Sequence, residues 1–297
     1  MRTISALSLL LALPACSGGP RPRLPPGEVA LTIDGRLEDG PLDLRAAELR
    51  NFPRRAFRGR EPATGREALF EGVSVADLLA EAVRPKPGSD TLVVRGRDGR
   101  EALVTRTRLK DLRPILADRA DGKPIAEWAR EAGAALEAPL LAWPDLEQPG
   151  LALDPRVPAW WVGGVSTLVV ESWVRSYGRA LALRPEASDQ ARRGVERVAG
   201  HCLPCHRVRG AGGTRGPDLA LSLAGWPAER IAARLEPHST QAWLPAGSDG
   251  DQARREIAAF LQAVASSPAP PEEWAEEPDE APRRLPPPPA TPRPSVR

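Results

Sequence analysis

Residues 200–208, GHCLPCHRV, contain the most informative pattern of the chain. Cys202 and Cys205 are separated by two residues, and His206 follows the second cysteine directly. The remaining cysteine of the chain is Cys16, near the N-terminus. Two thiols at this spacing beside an imidazole predict one site that uses all three side chains, and the order C-x-x-C-H is typical of c-type haem attachment.

Haem attachment gives each residue of the motif a role. The thiols of Cys202 and Cys205 can add to the two vinyl groups along one edge of a porphyrin, and His206 is then held under the iron as its ligand. Covalent attachment lets a small helical unit retain a large apolar cofactor. The motif therefore predicts one covalent haem c, bound by Cys202 and Cys205, with His206 as metal ligand.

Three other sites could use the same residues. A structural zinc site needs four ligands, and the further candidates, His201 and His238, make an irregular set. A thioredoxin-type redox site begins a helix after a strand, whereas this motif ends a helical segment. A structural disulfide between Cys202 and Cys205 is the third alternative for an exported chain.

Length and composition predict two modest domains with cores of their own, since 41% of the 297 residues are hydrophobic. Lys and Arg number 41 and Asp and Glu 39, so the net charge is +2. This balance gives no indication of a nucleic-acid partner, and we expect none. The 34 prolines and 26 glycines predict long loops and a disordered end.

The first sixteen residues, MRTISALSLLLALPAC, are typical of a secretion signal. Their apolar run is too short to span a membrane as a helix. LPAC resembles the lipobox of bacterial lipoproteins, which implies lipidation of Cys16 and a membrane anchor after a flexible tether at 17–27. Simple cleavage, giving a soluble periplasmic protein, is the alternative. In both cases we expect a periplasmic location.

Residues 28–176 predict a mixed α/β domain. Alternating apolar residues in EVALTIDG predict a strand, and the run 165–170 predicts a buried one. TLVVRGRDGREALVTR predicts a hairpin around Asp98-Gly99. Apolar residues at helical spacing in GVSVADLLAEAV predict a helix capped by Ser74.

Residues 188–265, after a linker at 177–187, change to helix formers. SDQARRGVERVAGHC and DQARREIAAFLQAV each carry one apolar stripe, and WPAERIAARLEP predicts a short helix that ends at Pro237. Three helices predict a small all-α domain, so the overall class is α+β. The proline-rich residues 266–297 are predicted to be a disordered tail.

With the CLPCH motif, residues 188–265 resemble class I cytochrome c domains. The parts occur in the family's order: a helix, CLPCH, RGPDL at 215–219, a middle helix, a loop ending in WLPAG and a closing helix. The resemblance implies that the Pro217 carbonyl accepts a hydrogen bond from His206 and raises its basicity. It also implies that Gly194 and Phe260 lie where the first and last helices cross.

The sixth iron ligand departs from that family, which uses a methionine before a proline ahead of the last helix. Here Leu244 precedes Pro245, and Met1 is the single methionine. Two alternatives stay open: His238 is a second metal ligand, or the iron is pentacoordinate or water-bound. A bis-histidine iron implies a low-potential electron carrier, whereas an open site admits peroxide, nitric oxide or carbon monoxide.

Residues 28–176 resemble the molybdopterin-binding domain of the sulfite-oxidase type in the order of strands, helix and turns. The resemblance rests on stretches such as LTIDGRLEDGPLDLRAAEL, FEGVSVADLL and WWVGGVSTLVV. That family holds molybdenum through a cysteine thiolate, and residues 17–200 contain no cysteine. Molybdopterin is therefore not expected. The domain is expected to dock a partner, with a cofactor held without a thiolate as the alternative.

Together these expectations describe an exported c-type cytochrome that passes single electrons between redox partner proteins, with its N-terminal domain as a docking scaffold. Two other classes stay open. One is a haem or molybdenum oxidoreductase, such as a peroxidase or a sulfite-oxidase-like enzyme. The other is a haem-based gas or redox sensor. Peroxide turnover, metal analysis and ligand binding to reduced haem discriminate among them.

Overall fold

The computed structural model of the chain describes residues 24–152, 154, 156–239 and 248–267. The expected signal with Cys16, most of the tether and residues 268–297 of the tail lie outside the described residues, as do Leu244 and Pro245. The described part has α+β architecture, with two five-stranded sheets and several helices, as the sequence predicts.

The first sheet contains the strands predicted at 28–35, 91–105 and 165–170. Its members are β1 (Leu31–Gly35), β2 (Leu42–Leu44), β5 (Thr91–Gly96), β6 (Glu101–Thr105) and β10 (Val165–Glu171). They lie in the order β2-β1-β10-β5-β6, and β1 and β10 run parallel. Since β5 and β6 pair antiparallel across the turn at Asp98-Gly99, the predicted hairpin is confirmed.

The second sheet is antiparallel. It comprises β3 (Arg54–Arg60), β4 (Glu67–Ser74), β7 (Ile115–Ala120), β8 (Lys123–Pro124) and β9 (Leu140–Ala142). The order is β3-β4-β7-β8, and β9 pairs with β7 as well. Both sheets contribute to one core, in which Trp128 and Trp161 pack edge-on against Phe70 with ring centroids 5.5 and 5.2 Å away.

Six short helices accompany these sheets: α1 (Ala46–Leu49), α2 (Val75–Ala82), α3 (Arg106–Leu112), α4 (Ile125–Glu131), α5 (Pro149–Ala152) and α6 (Val157–Trp160). The predicted cap of α2 is confirmed, because the Ser74 side chain accepts a hydrogen bond from the backbone N–H of Asp77. Such a bond satisfies one of the four N–H groups that a helix start leaves without a partner.

The C-terminal part is mostly helical. After a π-helical turn at Val174–Gly178, it contains α7 (Arg179–Leu181), α8 (Asp189–His201), the strands β11 (Arg207–Val208) and β12 (Ala211–Gly212), α9 (Leu219–Ser222), α10 (Ala228–Ser239) and α11 (Ser248–Ala265). The segment 177–187, expected to be a linker, includes the buried residues Tyr177 and Leu181. Within the described ranges, no helix combines the length and apolar character needed to cross a membrane.

Helix α10 ends at Ser239 rather than at Pro237, where the sequence predicts its end. Proline lacks the backbone N–H, but the residues after it can still close the last turn. A difference of two residues at a helix end is of the size that separates assignment methods.

The first sheet is buried on both faces. Alternate residues of β5 and β10 point into different cores. Leu92, Val94, Leu168 and Val170 are buried in the first core, and Val93 and Val169 in a second core that the C-terminal helices complete. This arrangement explains why each strand carries three consecutive apolar residues, 92–94 in β5 and 168–170 in β10, instead of strict alternation. It also joins the two parts of the chain through one shared sheet.

Helices α8 and α11 pack closely at Gly194. A Cβ added there would lie 2.2 Å from the carbonyl oxygen of Glu256 and 2.7 Å from Cβ of Phe260. Phe260 itself is fully buried in the second core. The two helices can approach this closely because Gly194 has no side chain to keep its backbone away from Glu256 and Phe260.

The same helix pair is bridged by an ion-pair cluster. The Glu256 side chain, 2% exposed, accepts hydrogen bonds from Arg193 at 2.8 Å and from Arg197 and Gln252. Burial alone would raise the pKa of Glu256, but these hydrogen bonds and the charge of Arg197 lower it to about 2. The carboxylate on α11 is thus held in its charged form by two arginines on α8.

The free energy of unfolding should depend on pH through Glu256. Because the pKa is lower in the folded than in the unfolded chain, the stabilisation is present above about pH 5 and is lost as the pH falls toward about 2. We expect Glu256→Gln to be about 2 kcal/mol less stable than the unchanged protein at neutral pH, and the difference to disappear in acid.

Urea unfolding over a pH series measures this difference. The exposed Glu81→Gln is the control and should change stability by less than about 0.5 kcal/mol at every pH. A pH-independent difference between Glu256→Gln and the unchanged protein would contradict the prediction.

Candidate functional site

The CLPCH motif forms a compact turn at the end of α8. The N–H of Cys202 donates to the carbonyl of Val198 at 2.9 Å, and the N–H groups of Cys205 and His206 donate to the carbonyl of Cys202 at 3.1 and 2.8 Å. These bonds continue the helical backbone through one more turn. The structure therefore brings the two thiols and the imidazole together in one short loop after the helix.

His206 has a fixed hydrogen-bond partner in the following loop. Its Nδ1 lies 3.0 Å from the carbonyl oxygen of Pro217. Since a carbonyl can only accept, Nδ1 must carry the proton, and Nε2 of a neutral ring keeps its lone pair. This is the tautomer in which Nε2 can bind a metal ion, and the carbonyl makes that nitrogen more basic.

Gly212 and Gly216 allow the following loop to pack closely against the motif. A Cβ at Gly216 would lie 2.2 Å from Cε1 and 2.4 Å from Nδ1 of His206, and one at Gly212 would lie 2.3 Å from the His206 carbonyl oxygen. The N–H of Gly216 also donates to the carbonyl of Cys205 at 2.8 Å. Close approach of the backbone thus fixes the position of the imidazole, and any side chain at Gly216 would displace it.

Both cysteines of the motif are free thiols. Burial raises the pKa of the Cys202 thiol to about 12, and burial also raises the pKa of Cys205 despite the nearby positive charges of Arg100 and Arg215. Redox-active C-x-x-C sites have lowered thiol pKa values, because the thiolate is the attacking group. The environment of these thiols is thus unlike that of a thioredoxin-type site.

The motif loop is also held by the β5–β6 turn of the first sheet. The N–H of Glu101 donates to the carbonyl of Pro204 at 2.7 Å, and the N–H of Thr214 donates to the carbonyl of Gly99 at 2.8 Å. Arg215 lies 3.7 Å from the carboxylate of Asp98. Sequence reasoning placed the turn at Asp98-Gly99 but gave it no role at the motif, since the two segments are about a hundred residues apart.

Asp218 is a further structural residue that sequence reasoning missed. Its carboxylate accepts hydrogen bonds from the N–H groups of Arg209, Gly210 and Ala220, at 3.2, 2.7 and 3.0 Å. It therefore joins the β11–β12 turn to the start of α9, directly after Pro217. The sequence did indicate part of this role, since the aspartate in RGPDL precedes a helix and this residue type is favoured at helix N-caps.

The structure places His238 in the last turn of α10, but its side chain lies outside the described residues. The loop that contains Leu244 and Pro245 lies outside them too. His238 as a metal ligand, and the alternative of an iron without it, thus remain predictions. Over the described ranges, no three or more His, Cys, Asp or Glu side chains are grouped so that they could hold a metal ion.

Gly216→Ala should displace the His206 ring. The added methyl group would overlap the imidazole, so we expect loss of the hydrogen bond to Pro217 and a decrease of about 1 kcal/mol in the free energy of unfolding. Nitrogen NMR of the imidazole in the haem-free chain, where no iron binds Nε2, measures whether the proton stays on Nδ1. Gly150→Ala, where a Cβ meets nothing within 4 Å, is the control. An unchanged proton position in Gly216→Ala would refute the assigned contact.

Comparison with known proteins gives a distant structural similarity. No protein-family model matches the chain, and no curated protein matches it. Among solved structures, the chain is similar to the sulfane dehydrogenase SoxCD from Paracoccus pantotrophus, with 20% sequence identity and a TM-score of 0.37. The similarity covers 56% of this chain and 45% of that one, so the chain matches less than half of the solved protein. At this level it assigns neither a family nor a cofactor.

Proposed function

We propose that the chain is an exported c-type cytochrome that transfers single electrons between redox partner proteins. The observation that carries the proposal is the pairing of His206 Nδ1 with the Pro217 carbonyl within a C-x-x-C-H motif. This contact leaves Nε2 as a metal-binding nitrogen beside two free thiols. Bound haem c supplies one-electron transfer between ferric and ferrous iron.

The residues of the motif fit a covalent haem. Cys202 and Cys205 would hold the porphyrin through thioether bonds, and His206 would bind the iron. Burial keeps both thiols protonated at neutral pH. The Pro217 carbonyl and the close backbone of Gly216 hold the imidazole in one orientation. A ligand that does not have to reorient suits electron transfer, which needs little structural change between the two oxidation states.

The N-terminal part has a supporting role in this proposal. Its β5–β6 turn already contacts the motif loop through Glu101 and Gly99, so it fixes how the site is presented to a partner. We propose that this part docks redox partners and binds no molybdopterin. Lipidation at Cys16 would hold the protein at the membrane on the periplasmic side.

Substitution of one thiol tests the attachment. With the full chain expressed in a host that carries the c-type maturation machinery, we expect haem that stays with the denatured polypeptide after acid extraction. Cys205→Ser should lose most of this covalent pigment. Pro204→Ala is the matched control, because it keeps both thiols and His206 and should retain the pigment. Equal pigment in Cys205→Ser and the unchanged chain would refute the proposal.

Substitution of His238 tests the second metal ligand. If His238 binds the iron, the purified protein is low-spin, and His238→Ala converts it to a high-spin form that binds carbon monoxide when reduced. His201→Ala is the control and should leave the spin state unchanged. A spectrum that stays low-spin in His238→Ala contradicts the assignment. Peroxide turnover, measured on the same samples, identifies a peroxidase instead of a carrier.

A further inference from the structure

One side of the CLPCH motif is accessible and the other is not. Cys202, Leu203 and Pro204 are buried, whereas Cys205 and His206 are partly exposed. In the proposed cytochrome, a partner would therefore reach the site at Cys205 and His206. The charges around these two residues then decide which partners can approach.

Two segments that are far apart in the chain bring arginines to Cys205. Arg100 follows the β5–β6 turn, and Arg215 lies in the loop before Pro217. The charges of both lower the pKa of Cys205, and the charge of Asp98 raises it. Asp98 is 2.9 Å from Arg100 and 3.7 Å from Arg215. Two guanidinium groups share one carboxylate, which leaves one positive charge in excess.

Arg207 adds a positive charge directly after His206. It begins β11, where Val208 is buried and Arg207 is exposed, so the arginine side chain points away from the core. Because Arg207 is two positions after Cys205, their Cα atoms are at most about 7 Å apart. We call Arg100, Arg207, Arg215 and Asp98 the Cys205 rim. The rim contains three arginines and one aspartate.

Backbone contacts fix the position of the rim. The N–H of Thr214 donates to the carbonyl of Gly99 at 2.8 Å, and the N–H of Gly216 donates to the carbonyl of Cys205 at 2.8 Å. The two neighbours of Arg215 are thus held, one by the β5–β6 turn and one by the motif. Charges on a fixed backbone lose less freedom when a partner binds.

The positive charge of the rim is local. The whole chain has 41 Lys and Arg against 39 Asp and Glu, so its net charge of +2 gives a partner little general attraction. Other charges nearby do not cancel the rim. Arg97 pairs with Glu137 at 3.5 Å and adds no net charge, and the carboxylate of Asp218 faces three backbone N–H groups.

We propose that the Cys205 rim docks redox partners that present an acidic surface. This inference rests on the proposed electron transfer, for which it names the contact surface and the chemistry of the partner. Arginine forms paired, charge-assisted hydrogen bonds with carboxylates, so aspartates and glutamates of a partner fit the rim. A small charged contact also suits a carrier that releases its partner after each electron, since electron-transfer encounters are typically small and weak.

Stopped-flow oxidation of the reduced, haem-containing chain tests the rim with two probes of opposite charge. Hexacyanoferrate(III), a triply negative ion, and tris(phenanthroline)cobalt(III), a triply positive one, each accept one electron from the protein. At an ionic strength of about 10 mM, we expect Arg207→Gln with Arg215→Gln to react at least about fivefold more slowly with the anion, and faster with the cation, than the unchanged chain. In about 1 M salt both differences should fall below about twofold.

The opposite direction of the two changes is the decisive readout. A substitution that altered only the redox potential would change both oxidation rates in the same direction. If the double variant does not fold, as judged by circular dichroism, Arg215→Gln alone replaces it, because that side chain is 53% exposed. We then expect a change of at least about twofold with each probe, again in opposite directions.

The matched control is Arg84→Gln with Arg119→Gln, which removes the same charge from exposed positions outside the rim. Its rates with both probes should stay within about twofold of the unchanged chain, because distant charges are screened. A chain without covalent haem would refute the proposed function and the rim with it. If haem is present, equal rates in the rim variant, changes in the same direction with both probes, or equal changes in the control would overturn the rim alone.

Discussion

The candidate site depends most on the backbone contact between the β5–β6 turn and the motif loop. The carbonyl of Pro204 accepts from the N–H of Glu101, and the N–H of Thr214 donates to the carbonyl of Gly99. Buried backbone groups without partners cost about 1–3 kcal/mol each, so these two bonds stabilise the loop in this conformation. The CLPCH loop therefore has contacts with both parts of the chain.

The shared sheet makes these contacts possible. Because β5 and β10 bury one face in each core, a shift of either strand would disturb both cores at once. The β5–β6 turn is thereby held beside the end of α8.

The sequence by itself determined the local features: the C-x-x-C-H order, the Ser74 cap and the hairpin at Asp98-Gly99. It also determined two helices, one that begins at Asp189 and one that contains Phe260. Each follows from spacing or propensity within a short window. Only the tertiary structure decided that the hairpin turn supports the motif and that β5 and β10 are shared by two cores. These contacts join residues far apart in the chain, and periodicity carries no information about which distant segments will meet.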